Sequence, residues 1–487
     1  MIDLTIHHEN LAHNIRKARE NRVVIPTYRQ MKHPETIPGV IRDRLKAVGL
    51  WDVDPLNLFR ITWKNEAKET GGLYQDVPNY IELPPSLTGV PARIVCLVGK
   101  WFPTGCHKVG ASYGCLVPRL VTGQFDATTD HAVWPSTGNY CRGGAFNSKL
   151  LAVDSVAILP EGMSRERFDW LRSIAGQVIA TPGCESNVKE IFDKAQEPDC
   201  MIFNQFEEMG NHLWHYQVTG DAIATVFEHV KRPGDRMAGA CFTSGSAGTI
   251  GCGDYLKEHY PAMRLAVGEA LQCPTILNNG FGGHRIEGIG DKHIPWIHNV
   301  KNTDMVIAID DEDSQRLLRL FNDPAGLRYL GTEAGVDEET LSRLSWLGIS
   351  GIANVLCCIK MAKYYELTGR DVVCTVLTDS AAMYGSRIQE LSAQYGPYDA
   401  KSAAVDHHLH MLGLRTDSME ELTYQDRKRV HNLKYYTWVE QQGRTVDELN
   451  DLWYDEEKTW KGVHAQADGL DELIEAFNEA TGVLKGL

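Results

Sequence analysis

The stretch "GACFTSGSAGTIGCGDYL", from Gly239 to Leu256, decides the fold class. It begins as an apolar strand, continues through small residues and leads into a predicted helix. Small residues let backbone N–H groups turn inward, and a helix N-terminus adds partial positive charge, so the stretch can cradle a phosphate. A glycine-rich turn without a ligand is the alternative, and the stretch alone favours neither. The cradle would consist of Gly245, Ser246, Ala247, Gly248 and Thr249.

Other apolar segments repeat the strand pattern, and helical patterns separate them. The predicted strands are "ARIVCLVGKW", "VDSVAILP", "GQVIATP", "DCMIFNQF", "RMAGACFTSG", "MRLAVGEAL", "DMVIAIDD" and "DVVCTVLTDS". The predicted helices between them are "SRERFDWLRSIA", "SNVKEIFDKAQ", "TGDAIATVFEHV" and "DSQRLLRLFN". This alternation indicates an α/β fold around a mostly parallel sheet. Beyond about Gln394 the pattern predicts helices and no further strand.

Changes in composition and periodicity along the chain predict three parts. The first stretch is polar and charged, the apolar strands begin after Tyr80, and the last hundred residues are helical by periodicity. We therefore expect an N-terminal extension (1–79), a core of two α/β subdomains (80–395) and a mainly helical C-terminal extension (396–487). The last part lacks a Gly/Ser/Pro-rich linker, so it should pack on the core or on a second subunit.

The bulk composition argues against several classes of protein. The chain has 487 residues and a net charge of −15, without a basic tract, which argues against nucleic-acid binding. The cysteines are scattered without a CxxC pair, so we expect no thiolate zinc site and a reduced, cytoplasmic setting. The first residues lack the apolar region of a secretory signal, and no apolar run is long enough to span a membrane.

Lys108 stands in the permissive stretch "TGCHKVGASYG", among glycines and small residues, with no acidic neighbour in the sequence. It is either a solvated lysine in a turn or an amine that attacks a carbonyl group.

The stretch "WPSTGNYCRGGAF" offers hydroxyls, an amide and backbone N–H groups at a predicted helix start. Such a loop suits a carboxylate or a ring hydroxyl, but taken alone it favours an ordinary N-cap. Ser380 follows a strand, where open α/β sheets bind ligands, and could equally be an N-cap.

The order of these segments resembles the cysteine synthase and cystathionine β-synthase family of fold-type-II pyridoxal-phosphate enzymes. The matching segments are "PSTGN", "NQFEEMGNHLWHYQVTGDAI", the loop "GSAGT", "HRIEGIG" and the strand that ends in "TDS". The resemblance covers roughly Tyr80 to Arg387. It implies a fold like that of the tryptophan synthase β chain, pyridoxal 5'-phosphate as the cofactor, and a homodimer or higher homo-oligomer.

The resemblance also implies roles for individual residues. Lys108 would form the Schiff base with the cofactor, and a lysine in a largely apolar site loses its proton more easily. Asn139 would bond the ring hydroxyl, and Ser380 the ring nitrogen. The loop Gly245, Ser246, Ala247, Gly248 and Thr249 would hold the phosphate. The substrate carboxylate would be held by Ser136, Thr137, Gly138 and Gln205, and Gly288, Ile289 and Gly290 would lie near the ring.

Some positions depart from the family pattern. The phosphate loop has Ser-Ala where Thr-Gly is more usual, and Tyr140 beside the substrate loop puts the usual substrate in question. His107 is interpreted as a packing residue rather than a second base. The histidines of "DHHLHML" lack an obvious fourth ligand, so no metal site is predicted.

The resulting prediction is a lyase or synthase that acts on a small serine-like or cysteine-like amino acid. β-Elimination through an aminoacrylate would be followed by addition of a nucleophile. A neutral serine at the ring nitrogen makes the cofactor a milder electron sink, which favours this chemistry over transamination. One alternative is a dehydratase that releases a keto acid and ammonia without adding a nucleophile. A catalytically silent binding protein of the same shape is the alternative from another class.

Overall fold

The apolar runs predicted as strands form two separate sheets in the computed structural model. The structure describes residues 1–66, 73–136, 138–163, 165–182, 189–290 and 292–487. The chain divides into two compact units, each built from several segments. Unit 1 comprises Met1–Asp76, Trp101–Asp221 and Asn450–Leu487, and unit 2 comprises Val77–Lys100 and Ala222–Leu449. The boundaries inferred from the sequence, at residues 79 and 395, stay a prediction.

The sheet of unit 1 is parallel, and its strands follow the order β5-β4-β3-β6. These strands are β3 (His131–Pro135), β4 (Asp154–Pro160), β5 (Gln177–Thr181) and β6 (Cys200–Ile202). The sheet of unit 2 follows the order β1-β2-β10-β7-β8-β9-β11. Its strands are β1 (Tyr80–Leu83), β2 (Arg93–Val98), β7 (Arg236–Thr243), β8 (Arg264–Ala270), β9 (Met305–Ile309), β10 (Asp371–Leu377) and β11 (Met419–Glu421).

Helices account for about half of the remaining described chain. In chain order they are α1 (His8–Glu20), α2 (Tyr28–Lys32), α3 (Gly39–Leu45), α4 (Pro85–Thr88), α5 (Lys108–Thr122), α6 (Asn139–Leu150), α7 (Arg165–Ile174), α8 (Lys189–Ala195), α9 (Met209–Trp214), α10 (Gly220–Val230), α11 (Gly251–His259), α12 (Thr275–Asn278), α13 (Asp311–Asn322), α14 (Pro324–Thr332), α15 (Glu338–Arg343), α16 (Ile349–Tyr364), α17 (Gly385–Tyr395), α18 (Ala400–His407), α19 (Tyr424–Asn432), α20 (Val446–Tyr454), α21 (Gly462–His464) and α22 (Gln466–Thr481). Within the described ranges, none of them is long and apolar enough to cross a bilayer.

The predicted α/β fold is confirmed, and every predicted strand is present, but the prediction that strands end near Gln394 is wrong. β11 pairs antiparallel with β9 at the edge of the unit 2 sheet. It consists of only three residues, "MEE", and no apolar run marks it. β1 is likewise antiparallel to β2, so both edges of this sheet depart from the parallel pattern. Short edge strands bury little, and hydrophobicity therefore does not reveal them.

A buried asparagine joins the two central strands of unit 2. Asn354 of α16 accepts a hydrogen bond from the backbone N–H of Thr243 at 2.7 Å, at the end of β7. Its amide donates to the carbonyl of Val376 at 2.8 Å, near the end of β10. Because one side chain satisfies groups on both strands, their carboxyl ends are held in a fixed relation.

The two ends of the chain meet inside unit 1. Gln466 exchanges hydrogen bonds with the backbone of Ile2, at 2.8 and 2.7 Å. Asn478 of α22 does the same with Ile25, at 2.9 and 2.7 Å. Asp471 accepts from the N–H of Tyr28 at 2.6 Å. These side chains act as hydrogen-bond partners for the backbone of a segment that joins neither sheet, so α22 satisfies part of the N-terminal segment.

Helix α5 packs on α9 through Gly110. A methyl group at Gly110 would lie 2.0 Å from Cζ2 of Trp214. We expect Gly110→Ala to lower the free energy of unfolding by about 2–3 kcal/mol, since the buried indole must move. Gly469→Ala in α22 is the matched control, because that position has open space. Its free energy of unfolding should rise by about 1 kcal/mol, because alanine has a higher helix propensity than glycine. Equal denaturation midpoints for the two variants would contradict this packing.

Candidate active site

In unit 1, two predicted substrate residues follow neighbouring parallel strands. β3 and β6 pair in register, with Val133 opposite Ile202. Ser136 comes directly after β3, and Gln205 comes three residues after β6. The carboxyl ends of parallel strands share one edge of a sheet, so both residues lie at that edge, where α/β folds bind ligands.

The loop after β3 has a backbone that only glycine adopts easily. Gly138 has φ +139° and ψ −64°, and a Cβ there would lie 2.8 Å from Cδ of the buried Arg167. The hydroxyl of Ser136 accepts a hydrogen bond from the Gly138 N–H at 3.2 Å. Asn139 is the first residue of α6 and is buried. The remaining predicted residue of this loop, Thr137, lies outside the described residues.

Gln205 carries a polar atom suited to a ligand. Its side chain is 3% exposed, and its Oε1 is buried and accepts a hydrogen bond from no described residue. Its backbone carbonyl is fixed by the amide of Asn211 at 3.0 Å. A buried acceptor without a protein partner costs stability, so such atoms are commonly kept for a bound group.

Lys108 and Asn139 lie on two helices in close contact. Lys108 is the half-buried first residue of α5, and Asn139 is the first residue of α6. A Cβ at Gly143 would lie 2.8 Å from Cα of Val109 and 3.0 Å from the carbonyl oxygen of Lys108. The amide of Asn147 donates to the carbonyl of Val109 at 2.7 Å. This tight packing brings the start of α5 close to the first turns of α6.

In unit 2, the predicted phosphate loop and Ser380 also follow neighbouring parallel strands. The loop lies between β7 and α11, and Ser380 comes three residues after β10, which pairs with β7. The backbone N–H groups of Gly245, Ala247 and Thr249 donate to no acceptor within the described ranges. Open N–H donors between a strand and a helix N-terminus fit a phosphate group. The residues present therefore fit a phosphate-bearing cofactor.

The comparisons with known proteins agree with this geometry. Residues 103–335 match the family described as "Pyridoxal-phosphate dependent enzyme". The chain is a pyridoxal-phosphate-dependent enzyme. It is 28% identical over 252 residues to the "Probable cysteine synthase" of Bacillus subtilis (strain 168), which covers 50% of this chain and 79% of that protein. It is 24% identical over 313 residues to the "Cystathionine beta-synthase" of Saccharomyces cerevisiae, which covers 62% and 58% of the two chains.

A solved structure shows the fold of this pyridoxal-phosphate enzyme. The O-acetylserine-dependent cystathionine beta-synthase of Helicobacter pylori superposes with a TM-score of 0.52 at 24% identity, over 64% of this chain and 95% of that one. The fold is therefore that of the fold-type-II enzymes, and the predicted family, fold class and cofactor are confirmed.

The glycine loop "HRIEGIG" packs beside the phosphate loop in unit 2 of this pyridoxal-phosphate enzyme. Gly288 and Gly290 have φ values of +94° and +78°. The N–H of Gly290 donates to the carbonyl of Ser244 at 2.7 Å, directly before the phosphate loop. A Cβ at Gly290 would lie 2.4 Å from Nε2 of His284. Glycine is therefore required at Gly290 by both its dihedral angle and its neighbour.

Asp379 and Ser380 are neighbours in different settings. Asp379 is fully buried and accepts a hydrogen bond from the hydroxyl of Tyr384 at 2.7 Å. A Cβ at Gly348 would lie 1.9 Å from Oδ1 of Asp379, so this carboxylate occupies the start of α16. Ser380 has an extended backbone and is buried. This arrangement supports Ser380, rather than Asp379, as the residue that faces a ligand.

The position of Tyr140 in the sequence puts the usual substrate in question, but the structure gives this residue a different setting. Its side chain is fully buried, and its ring packs on Trp134 at a centroid distance of 5.4 Å and an angle of 70°. Burial also raises the pKa of its hydroxyl. It is a core residue of unit 1, so it does not argue against a small amino-acid substrate. Residue type and position in the chain could not reveal this, because the first turn of α6 has both a loop side and a core side.

The histidines of "DHHLHML" bond separate partners. His407 Nε2 lies 2.8 Å from the carbonyl oxygen of Leu87, and His410 Nδ1 lies 2.7 Å from Oδ1 of Asp313. His408 is exposed. These contacts account for two of the three side chains as packing and hydrogen-bonding residues.

His107 is fully buried, and its ring stacks on Trp63. Burial, followed by the charge of Lys108, lowers its pKa to about 3. A group with such a pKa is a weak base near neutral pH, which favours the packing interpretation. Sequence patterns did not point to Trp63, because it lies in the N-terminal segment and no motif links it to Lys108.

The phosphate loop contains one strained residue. Ala247 has φ +65°, a conformation that costs a residue with a Cβ about 1 kcal/mol or more. We expect Ala247→Gly to raise the free energy of unfolding by about 1 kcal/mol. Ala404→Gly, in the middle of α18, is the control and should lower it by a similar amount. If both variants lose stability in urea titrations, the assigned conformation of Ala247 is contradicted.

Proposed function

We propose that this pyridoxal-phosphate enzyme carries out β-replacement or β-elimination on a small serine-like or cysteine-like α-amino acid. The observation that carries the proposal is the residue pair at the end of β10. Asp379 is engaged by Tyr384 within unit 2, which supports the neutral Ser380 as the proposed partner of the cofactor's ring nitrogen. A neutral partner supports expulsion of a β-substituent better than transamination. The relatives described above, a probable cysteine synthase and a cystathionine beta-synthase, belong by name to the same reaction class.

The proposed cofactor roles follow the resemblance residue by residue. Lys108 would hold the cofactor covalently, and Asn139 would bond its ring hydroxyl. The open N–H groups of the loop after β7 would bind the phosphate, as would the start of α11. The phosphate residues are Gly245, Ser246, Ala247, Gly248 and Thr249. When bound, the cofactor supplies an electron sink for the pair of electrons left at the substrate α-carbon.

The remaining roles belong to the protein's own groups. Ser136, Thr137, Gly138 and Gln205 would orient the substrate carboxylate through hydroxyl, amide and N–H donors. The amine of Lys108, once released, would take the α-proton as a general base. With the carboxylate fixed, the α-proton faces one side only. This orientation would restrict the reaction to one enantiomer of the amino acid.

Two alternatives define the test. A dehydratase would release a keto acid and ammonia, and a silent binding protein would release nothing. Purified holoenzyme should be mixed with serine, cysteine, O-acetylserine and O-phosphoserine, with and without sulfide. Product analysis should show a β-substituted amino acid when the nucleophile is present. Keto acid and ammonia at the same rate with and without nucleophile would favour the dehydratase, and no product with an unchanged cofactor absorbance would overturn the proposal.

Two further parts of the proposal concern assembly and location. We propose a homodimer or higher homo-oligomer in the cytoplasm. The described cysteines are all free thiols, and most are buried, which is usual in a reducing compartment. Light scattering on the purified enzyme measures the mass of the particle. A monomeric mass at micromolar concentration would reject the proposed homo-oligomer.

A further inference from the structure

Trp63 lies in the N-terminal segment, forty residues before the part of the chain that matches the family. We propose that Trp63 and His107 form a positioning pair for Lys108, so that the N-terminal segment completes the catalytic site. This inference rests on the proposed role of Lys108 and adds to it the groups that hold the lysine's helix in place.

The two rings of the pair are stacked. The ring of Trp63 lies over that of His107 at a centroid distance of 5.4 Å and an angle of 28°. Trp63 is 1% exposed and also meets Phe102 edge-on at 4.9 Å. Its indole is therefore fixed on two sides, and a fixed indole determines where the imidazole can lie.

A hydrogen-bond chain fixes the indole in its plane. The indole N–H of Trp63 donates to Oγ1 of Thr219 at 3.1 Å. Oγ1 of Thr219 also lies 2.9 Å from Nδ1 of His215, and its proton has no other acceptor within the described ranges. The ring of His215 then meets that of His107 edge-on at 5.1 Å.

The position of His107 in the chain links the stack to the lysine. His107 is the N-cap residue of α5, directly before Lys108, and its side chain makes no capping hydrogen bond. The start of the helix therefore lacks the usual side-chain anchor. The ring stack anchors the start of the helix instead. A fixed imidazole fixes the backbone of residue 107, and this backbone sets the direction of Lys108.

The histidine of the pair lowers the stability of the fold. His107 is 1% exposed, and neither ring nitrogen has a hydrogen-bond partner within the described ranges. Buried nitrogens without partners lower stability, and an apolar ring of similar shape would serve the fold better. Substitutions at residue 107 can therefore separate the effect of the ring stack from the effect on the stability of the fold.

The experiment measures covalent attachment of pyridoxal 5'-phosphate to Lys108, a condensation that releases one water. Apoprotein is mixed with the cofactor, reduced with borohydride at timed intervals, and mapped by peptide mass. Thermal stability is measured on the same samples. His107→Phe keeps a ring, and His107→Leu removes it. Trp63→Leu removes the stack from the other side, and Trp460→Leu is the matched control, a buried tryptophan of unit 1 whose indole donates to the carbonyl of Leu452 at 2.9 Å.

We expect His107→Phe to attach the cofactor within twofold of the wild-type rate and to unfold at a higher temperature. His107→Leu and Trp63→Leu should attach it at least tenfold more slowly, and Trp460→Leu should lose stability without slowing attachment. Equal attachment rates for His107→Phe and His107→Leu would overturn the pair, even if Trp63→Leu does not fold. A label on another lysine in the wild type would instead reject the proposed role of Lys108.

Discussion

Replacement of Lys108 by alanine should abolish covalent attachment of the cofactor and reduce turnover at least a thousandfold. The amine is the only part of the residue that can bond the cofactor covalently, and the same amine is the proposed base for the α-proton. Borohydride reduction of wild-type enzyme should label Lys108, and the variant should carry no label. Cofactor bound without a covalent bond is expected to remain, since the phosphate loop is unchanged.

The matched control is Lys149→Ala, which removes an exposed lysine from α6 in the same unit. It should keep full labelling and wild-type turnover. A label found on any lysine other than Lys108, or normal turnover in Lys108→Ala, would reject the assignment of the catalytic lysine.

Gly248→Asp should produce the second large effect, a loss of cofactor retention of at least a hundredfold in Kd. The substitution places a carboxylate in the buried loop after β7, where the proposal puts a phosphate dianion. Like charges repel strongly when water is largely excluded. Equilibrium dialysis followed by absorbance of the retained cofactor measures the effect.

Gly283→Asp provides the control for charge and backbone. It adds the same group to unit 2 at an exposed glycine, where a Cβ would meet no neighbouring atom within 4 Å. Cofactor retention should be unchanged. Full occupancy of Gly248→Asp after dialysis would show that the phosphate binds elsewhere.

The strands and the ligand loops could be predicted from the sequence because their signals are local. A buried parallel strand is a continuous apolar run, as in β7 and β10, and the loop after β7 is marked by its small residues. β11 has neither property, since three residues at a sheet edge bury little. The conformation of Ala247 could not be predicted from the sequence either, because its φ of +65° is set by the turn and not by the alanine itself.

The surroundings of the predicted residues could not be derived in the same way. The stack of Trp63 on His107 joins residues 44 positions apart that share no periodic pattern. The burial of Tyr140 depends on which side of α6 faces the sheet, and the engagement of Asp379 depends on Tyr384 and on the start of α16. These are tertiary contacts between elements, and single-sequence patterns carry little information about them.

The pairing of the two chain ends in unit 1 has a consequence for protein synthesis. On the ribosome, residues 1–76 emerge before residues 466–478, which supply the acceptors for the backbone N–H groups of Ile2, Ile25 and Tyr28. These three backbone groups must therefore remain without these partners until residues 466–478 have been synthesised, and until then this part of the segment is more open to chaperones and proteases. Nascent chains arrested before residue 466 should be cleaved within residues 1–76, and released full-length chains should resist the same protease. Equal resistance in both would indicate that this segment becomes ordered without α22.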